Sequence, residues 1–351
     1  MNEQSADLSP EMKYDVLHQL IQTPWNRYPA ATFSQLEQQV ADYCGLQAEQ
    51  IALGPGSAAI IANMLNYFAI QRMDITIVQP TYSLFDHHCR CYGIPYTPWH
   101  LNAALEFDYD KLPALGRNSV LIITSPNNPV GNTICEERLS ALLEQFPETL
   151  VILDNVYFEF SDTDFAPLLA KFNNLLILSS FSTALPVAGL RLGYACTNPE
   201  RAAWLRKISL TFSINHLTLA MAEELLFTPA FQREAAQRVS EIVLRRDGMI
   251  QTLRDNFGHR GLEVFNSAGN FVLVRLAAKD LHSSVLESFH QAGILVLDAS
   301  GFPGLDNCIR ISIGNQMECE AVIASLQRAL PQTDNAVSSR NKEYSLMATA
   351  I

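Results

Sequence analysis

Four short runs without polar alternation constrain this chain more than any other feature. They lie at residues 75–79, 119–124, 150–154 and 175–179. A strand with one face in water alternates apolar and polar side chains. A strand that is apolar along its length needs cover on both faces, the condition inside a parallel sheet flanked by helices. The segments between the runs supply such helices. Thr32 and Gln35 form a capping box, Phe33, Leu36, Val40 and Tyr43 share one face, and Gly45 closes the helix. Thr133 with Glu136 repeats the capping pattern ahead of Leu139, Leu142 and Leu143. The pattern predicts an α/β fold with a mostly parallel sheet covered by helices.

At 351 residues the chain is long for one core. A helical stretch at about 229–256 precedes apolar runs at 271–275, 294–298 and 308–313, with helical segments near 281–292 and 318–330. This predicts a second, smaller α+β domain. The expected organisation is an N-terminal arm and helix over 1–44, joining the small domain or a dimer contact. A large domain over 45–228, a small C-terminal domain over 229–330 and a polar tail over 331–351 complete it.

Bulk chemistry narrows the functional classes. A net charge of -12 argues against a nucleic-acid surface, which needs clustered Lys and Arg. The first residues lack the basic stretch and apolar run of a secretory leader, and no apolar run is long enough to span a membrane. Seven scattered cysteines, an odd number, read as reduced thiols and point to the cytoplasm.

Several segments could carry chemistry. Leu53-Gly54-Pro55-Gly56-Ser57-Ala58-Ala59 follows a strand and opens a helix, where backbone amides accept a phosphate; a plain glycine turn reads equally well. Tyr82, in Pro80-Thr81-Tyr82, stands where an aromatic could stack on a ligand or simply fill the core. Ser125-Pro126-Asn127-Asn128-Pro129-Val130-Gly131 also ends a strand, and its residues suit a turn. Asp154 in Leu153-Asp154-Asn155-Val156-Tyr157 is either a functional carboxylate or a helix cap. Residues 179–194 contain Ser180, Ser182, Thr183 and Arg191, and the Arg191 guanidinium is a fork suited to a phosphate. Arg310 sits in Cys308-Ile309-Arg310-Ile311-Ser312-Ile313-Gly314, where its isoleucine neighbours mark a packed strand. His87 and Cys91, one helical turn apart, could share an ion, but no partner pair is evident, and the expectation is no metal. No Gly-x-Ser-x-Gly elbow or Walker loop occurs.

In combination and in this order, these segments resemble the fold-type-I pyridoxal-phosphate (PLP) enzymes, class I/II aminotransferases of the histidinol-phosphate aminotransferase kind. The resemblance covers about residues 25–330. It implies a large domain with a mostly parallel sheet plus a smaller α+β domain, and PLP or its amine form as cofactor. It places Ser57, Ala58, Ser180, Ser182 and Arg191 at the cofactor phosphate, Tyr82 on the ring and Asn128 at the phenolic oxygen. Asp154 would face the pyridine nitrogen, keeping it protonated. Asp154 and Tyr157 match the family's Asp-Glu-x-Tyr, and Asn155 departs from it. Arg310 would hold a substrate α-carboxylate. Arg27-Tyr28-Pro29 looks like the arm that reaches a neighbouring subunit's cofactor, which implies a homodimer with Tyr28 in a composite site.

At the position of the Schiff-base lysine stands Thr183. A hydroxyl cannot form an imine and is a poor base at neutral pH. Loss of an acid–base group alone costs on the order of 10²–10⁴-fold in rate. Impaired or altered transamination, with non-covalent cofactor binding, is therefore expected. Other readings are a base supplied by another residue such as His216 or a tyrosine, a lysine-to-threonine variant of an ordinary aminotransferase, and a silent partner or regulatory subunit of an active homologue. Whether the chain is an enzyme is left open by sequence. Leu297-Asp298 replaces the basic residue expected after the family's Gly-Ile-x-Val, which turns the substrate expectation from a phosphorylated compound to a small amino acid or related amine.

Overall fold

The computed structural model describes residues 2–29 and 33–331. Helices α1 (Pro10–Gln22) and α2 (Ser34–Cys44) precede β1 (Ile51–Gly54). Next come α3 (Ser57–Ile70), β2 (Asp74–Gln79), α4 (Ser83–Tyr92), β3 (Thr97–His100), β4 (Ser119–Thr124), α5 (Glu136–Gln145) and β5 (Leu150–Asp154). After β6 (Leu175–Ser180), α6 (Phe181–Ala184) and β7 (Gly193–Cys196) lie α7 (Pro199–Ile208) and α8 (His216–Met221). The remainder is α9 (Pro229–Phe257), β8 (Leu262–Val264), β9 (Phe271–Leu276), α10 (Lys279–Gln291), β10 (Leu297–Asp298), β11 (Cys308–Ser312) and α11 (Gln316–Ala329).

Seven strands form one sheet in the order β1-β7-β6-β5-β4-β2-β3. The run from β3 to β6 is parallel, and β7 is antiparallel to both its neighbours. Consecutive residues of each central strand enter different cores. Leu121 and Ile123 pack on one side with Val151 and Leu153, while Val120 and Ile122 pack on the other with Ile60, Met64 and Phe68 of α3. That is why the strands carry no alternation: both of their faces are apolar interior. The second sheet, β10-β11-β9-β8, is antiparallel throughout. Its core combines Phe271, Val274, Ile309 and Ile311 with Ile250 and Leu253 of α9, Phe289 of α10 and Leu326 of α11. Tyr157, from the loop after β5, and Ala184, the last residue of α6, also belong to that core, so the two sheets meet at these segments.

The four apolar runs are strands β2, β4, β5 and β6 within one residue of their expected limits. Other expectations need correction. Helix α5 begins at Glu136 with Cys135 as its N-cap and no side-chain cap bond, so Thr133 does not cap it. The run at 294–298 shortens to the two residues of β10. Val16, Leu36 and Val40, from α1 and α2, enter a core of the larger sheet, not of the smaller one. Strand β7 had no signal of its own, since its four residues follow a loop motif with no turn between. Thr32 and the tail from 332 lie outside the described residues.

Candidate active site

The carboxyl ends of β2, β4, β5 and β6 and the loop after β1 open onto one cavity of about 540 Å³. In open α/β sheets this edge is where ligands collect, because the loops there carry freely chosen side chains above a rigid sheet. The cavity is lined by Ser57, Ala58, Tyr82, Asn128, Asp154, Tyr157, Ser180, Ser182, Thr183, Arg191 and Arg310. All but one of the residues that the resemblance assigns to the cofactor and substrate therefore converge. The exception is Tyr28, which is 79% exposed and stacks on Phe212 with ring centroids 4.9 Å apart.

One end of the cavity gathers groups whose chemistry suits an anion. Ser57 is the first residue of α3, so its turn presents unpaired backbone amides. Ser180 caps α6, accepting from the Ser182 amide at 3.2 Å and donating to the Ser182 hydroxyl at 3.0 Å. Arg191 reaches the Ser182 hydroxyl at 3.5 Å and is anchored on the Ala188 carbonyl at 3.1 Å. Gly56 is required here for two reasons. Its φ is +80°, and a Cβ would lie 2.5 Å from the Arg191 guanidinium. Gly193 is needed too, because a Cβ there would collide with the backbone of Ser57.

The floor holds Asp154, almost fully buried at the end of β5. Its Oδ1 has no hydrogen-bond partner, and burial pushes its carboxyl up to about 7 against a backbone hydrogen bond from Val156 that pulls it down. Such a group calls for a cationic or N–H donor in the cavity. Asn128 accepts from Arg310 at 2.6 Å and donates to the Tyr157 hydroxyl at 3.2 Å. Burial raises Tyr157 to about 12, so it stays a neutral phenol. Burial also raises Tyr82 and lowers Arg310, whose guanidinium lies over the Phe271 ring at 5.2 Å with Nε unpartnered.

Thr183 sits in α6, 8% exposed, and lines the same cavity. No lysine lines the cavity among the described residues. His216 does not line it either; its Nε2 pairs with the Arg27 carbonyl at 3.0 Å. His216 therefore lies outside the lining in which Thr183 stands. His87 and Cys91 do approach, with Sγ 3.5 Å from Nε2, but among the described residues no three His, Cys, Asp or Glu side chains gather around one point.

Sequence reading missed Asn2, Glu3, Thr124, Val156 and Phe302 in the wall, whereas Leu297, read from sequence as a substrate-side position, does line it. Thr124 ends β4 and could have been found from the strand-edge rule. Asn2 and Glu3 arrive from a segment without periodicity, which gave no signal.

The chain and its fold have known counterparts. The sequence model for aminotransferase class I and II matches residues 2–326. The chain belongs to the aminotransferase class I and II family. The histidinol-phosphate aminotransferase of Pyrococcus furiosus is 31% identical, over 94% of this chain and 91% of that one. The solved histidinol-phosphate aminotransferase of Clostridium acetobutylicum superposes with a TM-score of 0.81 at 22% identity, covering 93% of this chain and 97% of that one. That of Sinorhizobium meliloti, solved in complex with pyridoxal-5'-phosphate, gives 0.78 at 22% identity, covering 93% and 89%. The aminotransferase-family fold, with its mostly parallel sheet covered by helices, is the one the apolar runs predicted.

Proposed function

We propose that this aminotransferase-family protein binds PLP or pyridoxamine phosphate non-covalently together with a carboxylate-bearing amine, and that its transamination is impaired or altered. One observation carries the reading: a cavity with an anion cradle, a buried unpartnered carboxylate and a buried arginine, walled by Thr183 and by no described lysine. The residues present fit the cofactor. Ser57, Ser180, Ser182 and Arg191 would take its phosphate, and Asp154 its ring nitrogen, which would supply the charge partner that Oδ1 lacks. Asn128 and Tyr157 would meet the phenolic oxygen, and Tyr82 the ring face. When bound, the cofactor supplies an electron sink for bonds at the substrate amine carbon.

The chain's own groups set the remaining chemistry. Arg310 is held by Asn128 and the Phe271 face, ready for a carboxylate. Asp154, once paired with a cation, keeps its charge. Thr183 holds its proton at neutral pH and can neither bond covalently to the cofactor nor carry a proton as an amine does.

The lining also bears on substrate. Its cations are Arg191 and Arg310, one for each anionic group just named. Leu297 stands directly opposite Arg310 in the β10–β11 register, so an apolar side chain flanks the carboxylate site. A small amino acid without a second phosphate fits this wall better than the histidinol phosphate named for the relatives.

A homodimer in the cytoplasm completes the reading. Tyr14, Leu17 and Ile21 expose an apolar stripe on α1, beside Trp25, Tyr28, Leu210, Phe212 and Leu217. Contacts of α1 with α8 and the Tyr28–Phe212 stack join these into one region suited to a second copy. The seven cysteines are free thiols, and no helix among the described residues is long and apolar enough to cross a membrane. The deciding experiment is PLP titration followed by borohydride and intact mass. Reversible uptake without a fixed adduct supports the proposal, and absence of uptake favours the silent-partner reading.

A further inference from the structure

Asn2 and Gln4 reach the site from far away in sequence. Burial alternates along this segment: Asn2 and Gln4 are partly buried and turn inward onto the protein, whereas Ser5 is exposed, as is Glu3, which lies at the cavity's edge. Both inward side chains are carboxamides, and both are tied down. Asn2 Nδ2 donates to the Tyr157 hydroxyl at 3.2 Å and to Asn270 Oδ1, while its Oδ1 accepts from the Ser312 hydroxyl. Gln4 Nε2 donates to the Ala184 carbonyl at 2.8 Å and to the Thr183 carbonyl at 3.4 Å. Tyr157, Thr183 and Ala184 follow strands of the larger sheet, whereas Asn270 precedes β9 and Ser312 ends β11 of the smaller one. The segment therefore crosses the cleft and holds both sides. Its far end is fixed by α1, capped by Ser9 and anchored by buried Val16, and the intervening Ser5, Ala6 and Asp7 are exposed.

We propose that Asn2–Gln4 is a strap across the cavity mouth that gates entry and escape of its ligand. This rests on the reading that the cofactor is held without a covalent bond: with no amine at 183, residence depends on how slowly the ligand leaves. The strap's ties are hydrogen bonds of neutral amides. Each contributes modestly and can be exchanged for water, so the strap can lift while the two cores stay folded. When it is down, the Tyr157 oxygen accepts from both Asn2 and Asn128, and its own proton is left for an acceptor in the cavity. The strap thus closes the site and orients a group inside it.

Two readouts test this separately. In Thr183→Cys, alkylation of residue 183 by iodoacetamide, resolved by peptide mass spectrometry, reports access to the cavity without any cofactor. Adding Asn2→Ala and Gln4→Ala is expected to speed that alkylation about tenfold. Buried Cys308 should react at an unchanged rate. Equal rates at 183, or a parallel rise at Cys308, would overturn the gate. In the otherwise native protein, stopped-flow PLP binding should show both association and dissociation faster in the double variant, with Kd moving less than either rate. Faster dissociation with unchanged association would make Asn2 a simple ligand contact and overturn the proposal. If the native chain takes up no PLP, the cofactor reading fails, and the alkylation rates still decide the strap.

Discussion

Two side chains carry most of what the cavity can do at the residue scale. Arg191 is the cation at the anion end. Replacing it with alanine removes charge-assisted hydrogen bonds worth about 1.5–3 kcal/mol, so PLP binding should weaken about 10- to 100-fold in equilibrium dialysis. Unchanged affinity would place the phosphate elsewhere. Asp154 gives a prediction with a sign. Its carboxyl rises from the ordinary 3.8 to about 7 on burial, so between these values the unfolded chain has lost a proton that the folded chain keeps. Ligand-free stability is therefore fullest at low pH and lost as pH rises, at up to about 1.4 kcal/mol per pH unit for this group, levelling off above about 7. Asp154→Asn should remove that contribution, so urea unfolding should show the variant gaining on the native chain from pH 5 to pH 8. A difference independent of pH would mean that Asp154 is already paired.

The elements explain which parts of the site were legible in the sequence. Strands β2, β4, β5 and β6 announced themselves because their residues alternate between two cores and so are apolar throughout. Since the functional loops hang from the ends of these strands, Asn128, Asp154 and Thr183 were placed along with them. Helix starts were less legible. Thr133 had the right spacing to Glu136, yet α5 starts without a side-chain cap, because a capping pattern states a local preference that the surrounding chain can override. Strand β7 is held by β1 and β6 on either side, a pairing that its own four residues do not encode. The turn between β1 and α3 carries the element-level prediction. Gly56→Ala would force a side chain into φ +80° and against Arg191, so it should lower stability by about 1–3 kcal/mol and weaken PLP binding as well. Thermal melts with and without PLP separate the two effects. Loss of stability with intact affinity would show that Arg191 can be displaced harmlessly.

At the scale of the whole molecule, the site depends on pieces brought together from both sheets and from the first residues. No local pattern marks Asn2 or Phe302 as cavity wall, because their place is set by how distant parts of the chain come together. Tyr28 illustrates the same limit: its exposed position beside Phe212 makes sense as a contact to a second copy. If the proposed homodimer forms through this region, Ile21→Asp, at the end of the exposed stripe on α1, should shift sedimentation toward monomer, whereas an unchanged dimer would place the interface elsewhere. We propose that cofactor binding is kept here while the covalent hold on it is lost at Thr183. It is tested most directly by saturating the protein with PLP, treating it with borohydride and recording intact mass and absorbance after dialysis. One PLP should be taken up per chain, all of it removable by dialysis, with no added mass after reduction. In Thr183→Lys the same treatment should leave the cofactor fixed at residue 183. Failure of the native chain to take up PLP, or a cofactor fixed to it by borohydride, would contradict the account.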